Sequence, residues 1–518
     1  MSSPFTEPDL RQLDTKGISL AEAERQLDLF TRGFQPAELV RPCTVGDGIL
    51  PIEASGQIPG DSPLSILAQS YAEFIASGEA AAEENRIKKF VPASGAATRM
   101  FRDLQWACKP EASFDDARNA DCAVADVLER KSEFAFYEEW DATAQRITGN
   151  SLDALHDAGE LSSIFRTLLT DEGLNYQNLP KALLKFHRGE NPRTPLDEHL
   201  VETMALAGPD GELHCTVSEE HCCLFEQHPV NIRTPHPRMT LSVQDPSTDT
   251  IVVTPEHVPA RDEGGRLVFR PGGHGALLRN LQRLQSEIVF IKNIDNVIPE
   301  ALAHETWVWS KLIIGVLDKT TRRVRDILTS LDASNKQSSL PSGVDTLEKE
   351  AHSLFGYEKT GNGANRTKNL FKYLNRPIRA CGMVPNQGEP GGGPFWIRSQ
   401  DGTISRQIVE KVQVDLDSED QAAIWRASTH FNPVLIACGL NDYQGTPFVL
   451  EEFVDECAGI INRRESDGHE TLAIELPGLW NGSMSDWLTI FVEVPISNFN
   501  PVKTILDLLR PVHIASRG

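Results

Sequence analysis

Positive charge is scarce in this chain of 518 residues: Lys and Arg total 50 against 74 Asp and Glu, a formal net charge of −24 at pH 7. That balance excludes a nucleic-acid polymer as partner, because a phosphate backbone demands a basic face. A small anionic substrate stays open, since one local basic pocket opposes a global field of the other sign. Long apolar runs are missing too. The longest, such as LIIGVL and LTIFVEVPI, fall far short of the ~20 residues of a membrane span. The opening MSSPFTEPDLRQLD has no basic segment followed by an apolar core, so a cytoplasmic protein without signal peptide or membrane partner is expected. No repeat and no low-complexity segment is present. The nine cysteines follow no regular framework and read as reduced thiols. His221-Cys222-Cys223 with His228 matches no common zinc spacing, so core packing is the reading there.

What is present is an ordinary globular composition, 40% apolar and 24% charged, in a chain too long for one average domain. Residues 1–85 carry helical spacing (ISLAEAERQLDLF, SPLSILAQSYAEFIASGEA) and read as an N-terminal helical region. A core region over 86–440 follows, with helical insertions at about 103–178, which include DARNADCAVADVLERKSEFAFYEEW, and at about 301–378. Its short β-rich runs LHCTVS, MTLSVQD, TIVVT, RLVFRPG and EIVFIKNID are interleaved with helices, which predicts an α/β fold with a mostly parallel sheet. A Gly/Pro-rich loop, NQGEPGGGPF, leads into two further strands, WIRS and ISRQIVEKVQVD. Residues 441–518 close the chain with strand signals LAIELPGL and LTIFVEVPI and a helix in TILDLLR.

The stretch FVPASGAATRMF (90–101) reads as an apolar strand, a turn of small residues and a helix start at Thr98-Arg99. Such a turn lets backbone N–H groups face a polyphosphate, and an arginine completes the charge balance. Four more segments follow in order: PKALLKFH with Lys181, SVQDPSTDT with Gln244 at a strand end, FRPGGHGALLRNL, and VFIKNIDN, which delivers Asp295 beyond a strand.

In these motifs the chain resembles the UDP-sugar pyrophosphorylases, uridylyltransferases of the glycosyltransferase-A-like nucleotidyltransferase fold, and reads as a separate bacterial branch of that superfamily. The family's GGxGTR loop is similar to Ser94-Gly95-Ala96-Ala97-Thr98-Arg99, its PK motif to Pro180-Lys181, and its uracil-reading Gln to Gln244. Its PxGHG turn is similar to Pro271-Gly272-Gly273-His274-Gly275 and its metal motif to Asn293-Ile294-Asp295-Asn296. EPGGGPFWIR with IVEKVQVD resembles the sugar-contact region, placing Glu410, and STHFNPV the sugar-facing Asn segment, placing Asn432. The family's FxPVKxTxDLL element is similar to Phe499–Leu509, with Lys503.

The resemblance implies a nucleotide-diphospho-sugar transferase fold, Rossmann-like, with a mixed sheet flanked by helices. It also implies the joining of UTP, or another NTP, to a sugar 1-phosphate with release of pyrophosphate. Arg99, Lys181 and Lys503 would be catalytic. Ser94, Gly95, Ala96, Ala97, Thr98, Gln244, Gly273, His274, Glu410 and Asn432 would bind substrate, and Asp295 would hold Mg²⁺. Against the family pattern, Ser94 and Ala97 replace glycines, residues 100–180 separate the loop from Lys181, and the metal motif carries a single carboxylate. A nucleotide-sugar sensor without turnover, or transfer to a non-sugar phosphorylated acceptor, are the alternatives. Each residue also has a plain reading: Lys181 a solvated loop charge, Asp295 a cap, Gln244 a satisfied strand edge. LPGLWNGSMSDW (476–487) reads either as a sugar-pocket lining or as a core corner.

Overall fold

Runs that are apolar on both faces build the centre of this molecule. Ile378–Pro385 and Leu488–Glu493 are buried over nearly their whole length, as strands covered on two sides are. The computed structural model describes residues 4–51, 57–58, 62–115, 123–230, 232, 236–336, 343–362, 364–388, 391–400, 402–466 and 469–514. It divides into two units: Met1–Lys88 with Val243–Ile291 and Ser310–Ile496, and Lys89–Ser242 with Lys292–Trp309 and Ser497–Gly518. The predicted linear division therefore does not describe the packing. Residues 441–496 belong to the first unit and the end of the chain to the second. Residues 116–122 of the first predicted insertion and 389–390 of the Gly/Pro loop lie outside the described residues.

In the first unit the strands run in the order Thr44–Val45, Gly48–Leu50, Leu488–Glu493, Ile378–Pro385, His430–Gly439, Ile288–Ile291. The first four are parallel to one another, and His430–Gly439 is antiparallel to both of its neighbours. This is the mixed, mostly parallel sheet of an α/β fold, and the expected 301–378 helices appear as His304–Lys336, Val344–Phe355 and Ala364–Leu374. The N-terminal region is helical at Glu7–Lys16, Leu20–Arg32 and Tyr71–Glu83, but strands at 38–50 interrupt it. Those strands are too short to announce themselves by periodicity. Pairing partners far along the chain create them: Glu38–Pro42 lies antiparallel to Gly392–Arg398, which in turn pairs with Ile404–Glu410.

In the second unit the strands Ile87–Pro92, Glu212–Val217 and Arg238–Val243 are neighbours in that order. Among its described residues the 103–178 insertion forms helices joined by turns, with no strand, and ends in turns over 170–178. Leu161–Leu169 shows why: Leu161, Ile164, Phe165, Leu168 and Leu169 fall on one face at helical spacing and are all buried. That face does not form a separate lobe. Its residues share one apolar cluster with Phe101 and Leu104 after the small-residue loop, with Trp140 and Phe186, and with Val502, Ile505 and Leu508 near the chain's end. Burying each such side chain is worth about 1.5–3 kcal/mol, so insertion, loop and tail hold one another in place.

Candidate functional site

One segment of the second unit, residues 177–181, locks the small-residue loop. The N–H of Ala97 donates to the Leu179 carbonyl at 3.0 Å, and that of Lys181 donates to the Gly95 carbonyl at 3.2 Å. Pro180, whose φ of −60° suits the start of a turn, introduces the 3-10 turn Lys181–Leu183 and aims the lysine inward. The predicted helix start is corrected here. Ala97–Arg99 is a three-residue 3-10 turn, so no α-helix dipole stands behind the loop. Ser94, Gly95, Ala96, Thr98 and Arg99 are exposed, and Thr98 Oγ1 donates to the Gln177 carbonyl at 3.0 Å. Arg99 forms no ion pair among the described residues.

Lys181, Asp295 and Lys503 meet in space, though 114 and 208 residues separate the lysines from the aspartate. Lys181 Nζ lies 3.1 Å and Lys503 Nζ 2.8 Å from the same oxygen, Asp295 Oδ2. Lys181 also donates to the Val502 carbonyl at 2.8 Å, while the Val502 N–H donates to the Asp295 carbonyl at 3.0 Å. Asn296 clamps the tail beside them: its Nδ2 donates to the Asn498 carbonyl at 3.1 Å and its Oδ1 accepts from the Asn500 N–H at 2.8 Å. Burial works against the Asp295 carboxylate, but the charges of Lys503 and Lys181 outweigh it and hold its pKa below the usual range. Burial lowers the Lys181 pKa, with Asp295 opposing and Lys503 adding to the effect. The exposures differ decisively: 7% for Asp295, 13% for Lys181 and 61% for Lys503. The centre carries one net positive charge and presents it through Lys503.

The remaining predicted residues lie in the first unit. His274 follows a turn in which Gly273 has φ 76°, and a Cβ on Gly275 would sit 2.0 Å from the Pro477 carbonyl oxygen. Only glycine fits there. His274 Nδ1 accepts from the Leu479 N–H at 2.9 Å, and its ring stacks on Trp480 at 4.5 Å. Glu410 Oε1 lies 3.6 Å from His274 Nε2 and accepts from Asn481 Nδ2 at 3.0 Å. His274 and Glu410 are thus brought together, with Trp480 and Asn481 of the 476–487 segment as partners that no motif announces. Gln244 turns back on its own chain, donating to Thr248 Oγ1 at 3.2 Å. Asn432 Oδ1 is buried without a hydrogen-bond partner among the described residues.

Mg²⁺, which the resemblance implies, takes one or two carboxylates and completes its shell with phosphate oxygens and water. Asp295 Oδ1 is buried with no partner among the described residues, so it offers a donor of the right kind. No group of three or more His, Cys, Asp or Glu among the described residues is arranged to hold a metal. The eight cysteines described are free. The core-packing reading of His221-Cys222-Cys223 is corrected: Cys223 is exposed and Cys222 half-buried, only Phe225 of that segment enters the core, and His221 bonds Ser218 Oγ at 2.7 Å.

Fold and site define an α/β protein with a lysine centre gathered around one carboxylate; no helix among its described residues is long and apolar enough to cross a membrane. Residues 6–514 match the family described as Domain of unknown function (DUF4301), and the chain belongs to that family. Comparison with curated proteins gave no match. Among solved structures the chain is similar to a point mutant of UDP-glucose pyrophosphorylase from Leishmania major in complex with UDP-glucose. There the identity is 12%, over 98% of this chain and 78% of that one, with a TM-score of 0.42. It is also similar to the UDP-N-acetylglucosamine pyrophosphorylase of Trypanosoma brucei in complex with inhibitor, at 12% identity over 98% and 79%, TM-score 0.44.

Proposed function

We propose that this protein is a nucleotidyltransferase that joins UTP, or another NTP, to a sugar 1-phosphate and releases pyrophosphate. The observation that carries the reading is the convergence of Lys181 and Lys503 on Asp295 within the second unit that also holds the Ser94–Arg99 loop. An oxygen of the sugar phosphate attacks the α-phosphorus in line; the new P–O bond forms as the bond to the β-phosphate oxygen breaks, and pyrophosphate departs with that electron pair. The attacking oxygen is already anionic, so no general base is required. Catalysis is then positioning and charge neutralisation. Lys503, exposed, meets the phosphates; Lys181, held between Asp295 and the Val502 carbonyl, is a fixed charge; Arg99 neutralises the leaving pyrophosphate. Asp295 Oδ1 would hold Mg²⁺, which when bound neutralises phosphate charge as a Lewis acid. Gln244 pairs with the base, Gly273 lets the backbone approach it, and His274, Glu410 and Asn432 select the acceptor.

The test is pyrophosphate release from UTP, Mg²⁺ and a panel of sugar 1-phosphates. Release with one or more sugars supports the reading. No release with any sugar and any of the four NTPs ends it. Tight UDP-sugar binding without turnover marks the sensor instead.

A further inference from the structure

A second charged cluster in the second unit is closed off from solvent. Lys89, on Ile87–Pro92, and Lys292, just after Ile288–Ile291, both end on Glu202 of the helix Pro195–Ala207. Lys89 Nζ lies 2.5 Å from Glu202 Oε2, and Lys292 Nζ 2.9 Å from Oε1. Lys89 also donates to the His199 carbonyl at 3.2 Å. His199 Nε2 donates to the carbonyl of Ile294, the neighbour of Asp295, at 3.2 Å, and its Nδ1 is buried without a partner, 3.7 Å from Glu202 Oε2. With its proton on Nε2 the imidazole is neutral, and burial holds its pKa well below the usual value. Two ammoniums and one carboxylate remain. The cluster sums to one uncompensated positive charge in the core.

Packing alone gives no reason for this. Apolar side chains of the same volume would hold the strands without the desolvation cost of three charges. The placement supplies a reason: Lys89 stands on the strand that runs into the Ser94 loop, and Lys292 three residues before Asp295. A charge in a low-dielectric interior is screened far less than one on the surface.

We propose that Glu202, with Lys89 and Lys292, is a positioning device for a polyphosphate anion. Its carboxylate ties together the two chain segments that carry the loop and Asp295. Its surplus charge adds a fixed attractive potential to that of Lys181 and Lys503. The inference rests on the nucleotidyltransferase reading.

The experiment is calorimetric titration of the full-length protein with inorganic pyrophosphate and, separately, UTP. Lys292→Met leaves Lys89 and Glu202 as a neutral pair, and should bind pyrophosphate about tenfold more weakly with the fold intact by circular dichroism. Lys292→Arg should return most of the affinity. The triple variant Lys89→Met, Glu202→Leu, Lys292→Met replaces the cluster by apolar groups, so it keeps the packing and removes the field; it serves if Lys292→Met fails to fold, and it too should bind about tenfold more weakly. Folded Lys292→Met or triple protein with wild-type affinity overturns the proposal and leaves the nucleotidyltransferase reading standing. Wild-type protein that binds neither pyrophosphate nor UTP overturns both.

Discussion

At Asp295 two ammonium groups compete for one carboxylate oxygen, and their unequal burial separates their roles. Lys503 is 61% exposed, so its pairing with Asp295 adds little to stability and leaves the ammonium available to an incoming phosphate. Lys503→Ala should lower kcat/KM by roughly a hundredfold or more while the thermal midpoint hardly moves. An unfolded protein, or one of full activity, would contradict the role given to Lys503. Asp295→Asn should cost stability as well as activity. It leaves the largely buried Lys181 without its counter-charge, a loss of about 3–5 kcal/mol by the usual cost of breaking a buried pair. The pH dependence has a definite sign. Because the folded carboxylate is held below its ordinary value, its contribution is complete above pH ~4 and is lost as pH falls through the lower folded value. Urea unfolding of both proteins from neutral pH into the acid range should show this acid loss in the wild type and its reduction in the variant.

The segment from Ser497 to the end of the chain is the element on which the centre depends. Asn296 clamps it at Asn498 and Asn500, Met100 takes the N–H of Ile505 on its carbonyl at 3.1 Å, and Asp507 caps its turn by accepting from Lys503 N–H at 2.8 Å. Its far end is fixed by His513, whose Nδ1 lies 3.0 Å from His187 Nε2; His187 Nδ1 in turn meets Glu198 Oε1 at 2.9 Å. Burial, with the nearby His187 and Arg510, pushes the His513 imidazole down to about 3, and the Asn500 backbone opposes this weakly. The unfolded chain therefore takes up a proton between about pH 6.5 and 3 that the folded chain refuses, and stability declines as pH falls through that window. One such proton gives a slope of about 1.4 kcal/mol per pH unit. His513→Gln should flatten the measured stability curve by that amount, and equal slopes in both proteins would refute the assignment. Much of this centre was legible in order but not in contact. Lys181, Asp295 and Lys503 stand out in PKALL, KNIDN and FNPVK, yet nothing local says that two lysines share one carboxylate oxygen across 114 and 208 residues. Glu202 was invisible for the converse reason: in PLDEHLVETMALA it reads as an ordinary helix glutamate, and only the buried lysines that reach it reveal its part. The alternation in IKKFVP carried a hint, since Lys89 shares its strand face with Ile87 and Val91, both buried. The strands Glu38–Pro42 and Gly48–Leu50 were hidden because distant partners make them.

Across the whole molecule a charge of −24 surrounds a centre of opposite sign, and these two fields respond differently to salt. Surface carboxylates repel an approaching pyrophosphate or nucleotide over long distances, and ions screen that repulsion within a Debye length of about 8 Å at physiological strength. Lys181 and Asp295 are mostly buried, and Lys89 and Lys292 almost wholly so, which leaves their fields less affected by the same ions. Salt should therefore remove the obstacle sooner than the attraction. Stopped-flow association of UTP should stay level or accelerate as KCl rises from about 10 to about 150 mM, with affinity changing by less than about tenfold. A protein that gathers anions on an exposed basic surface does the reverse, losing affinity steeply with each phosphate contact. A steep loss of UTP affinity over that range would mean that the exposed Lys503 and Arg99, and not the buried lysines behind them, supply most of the charge that holds the nucleotide.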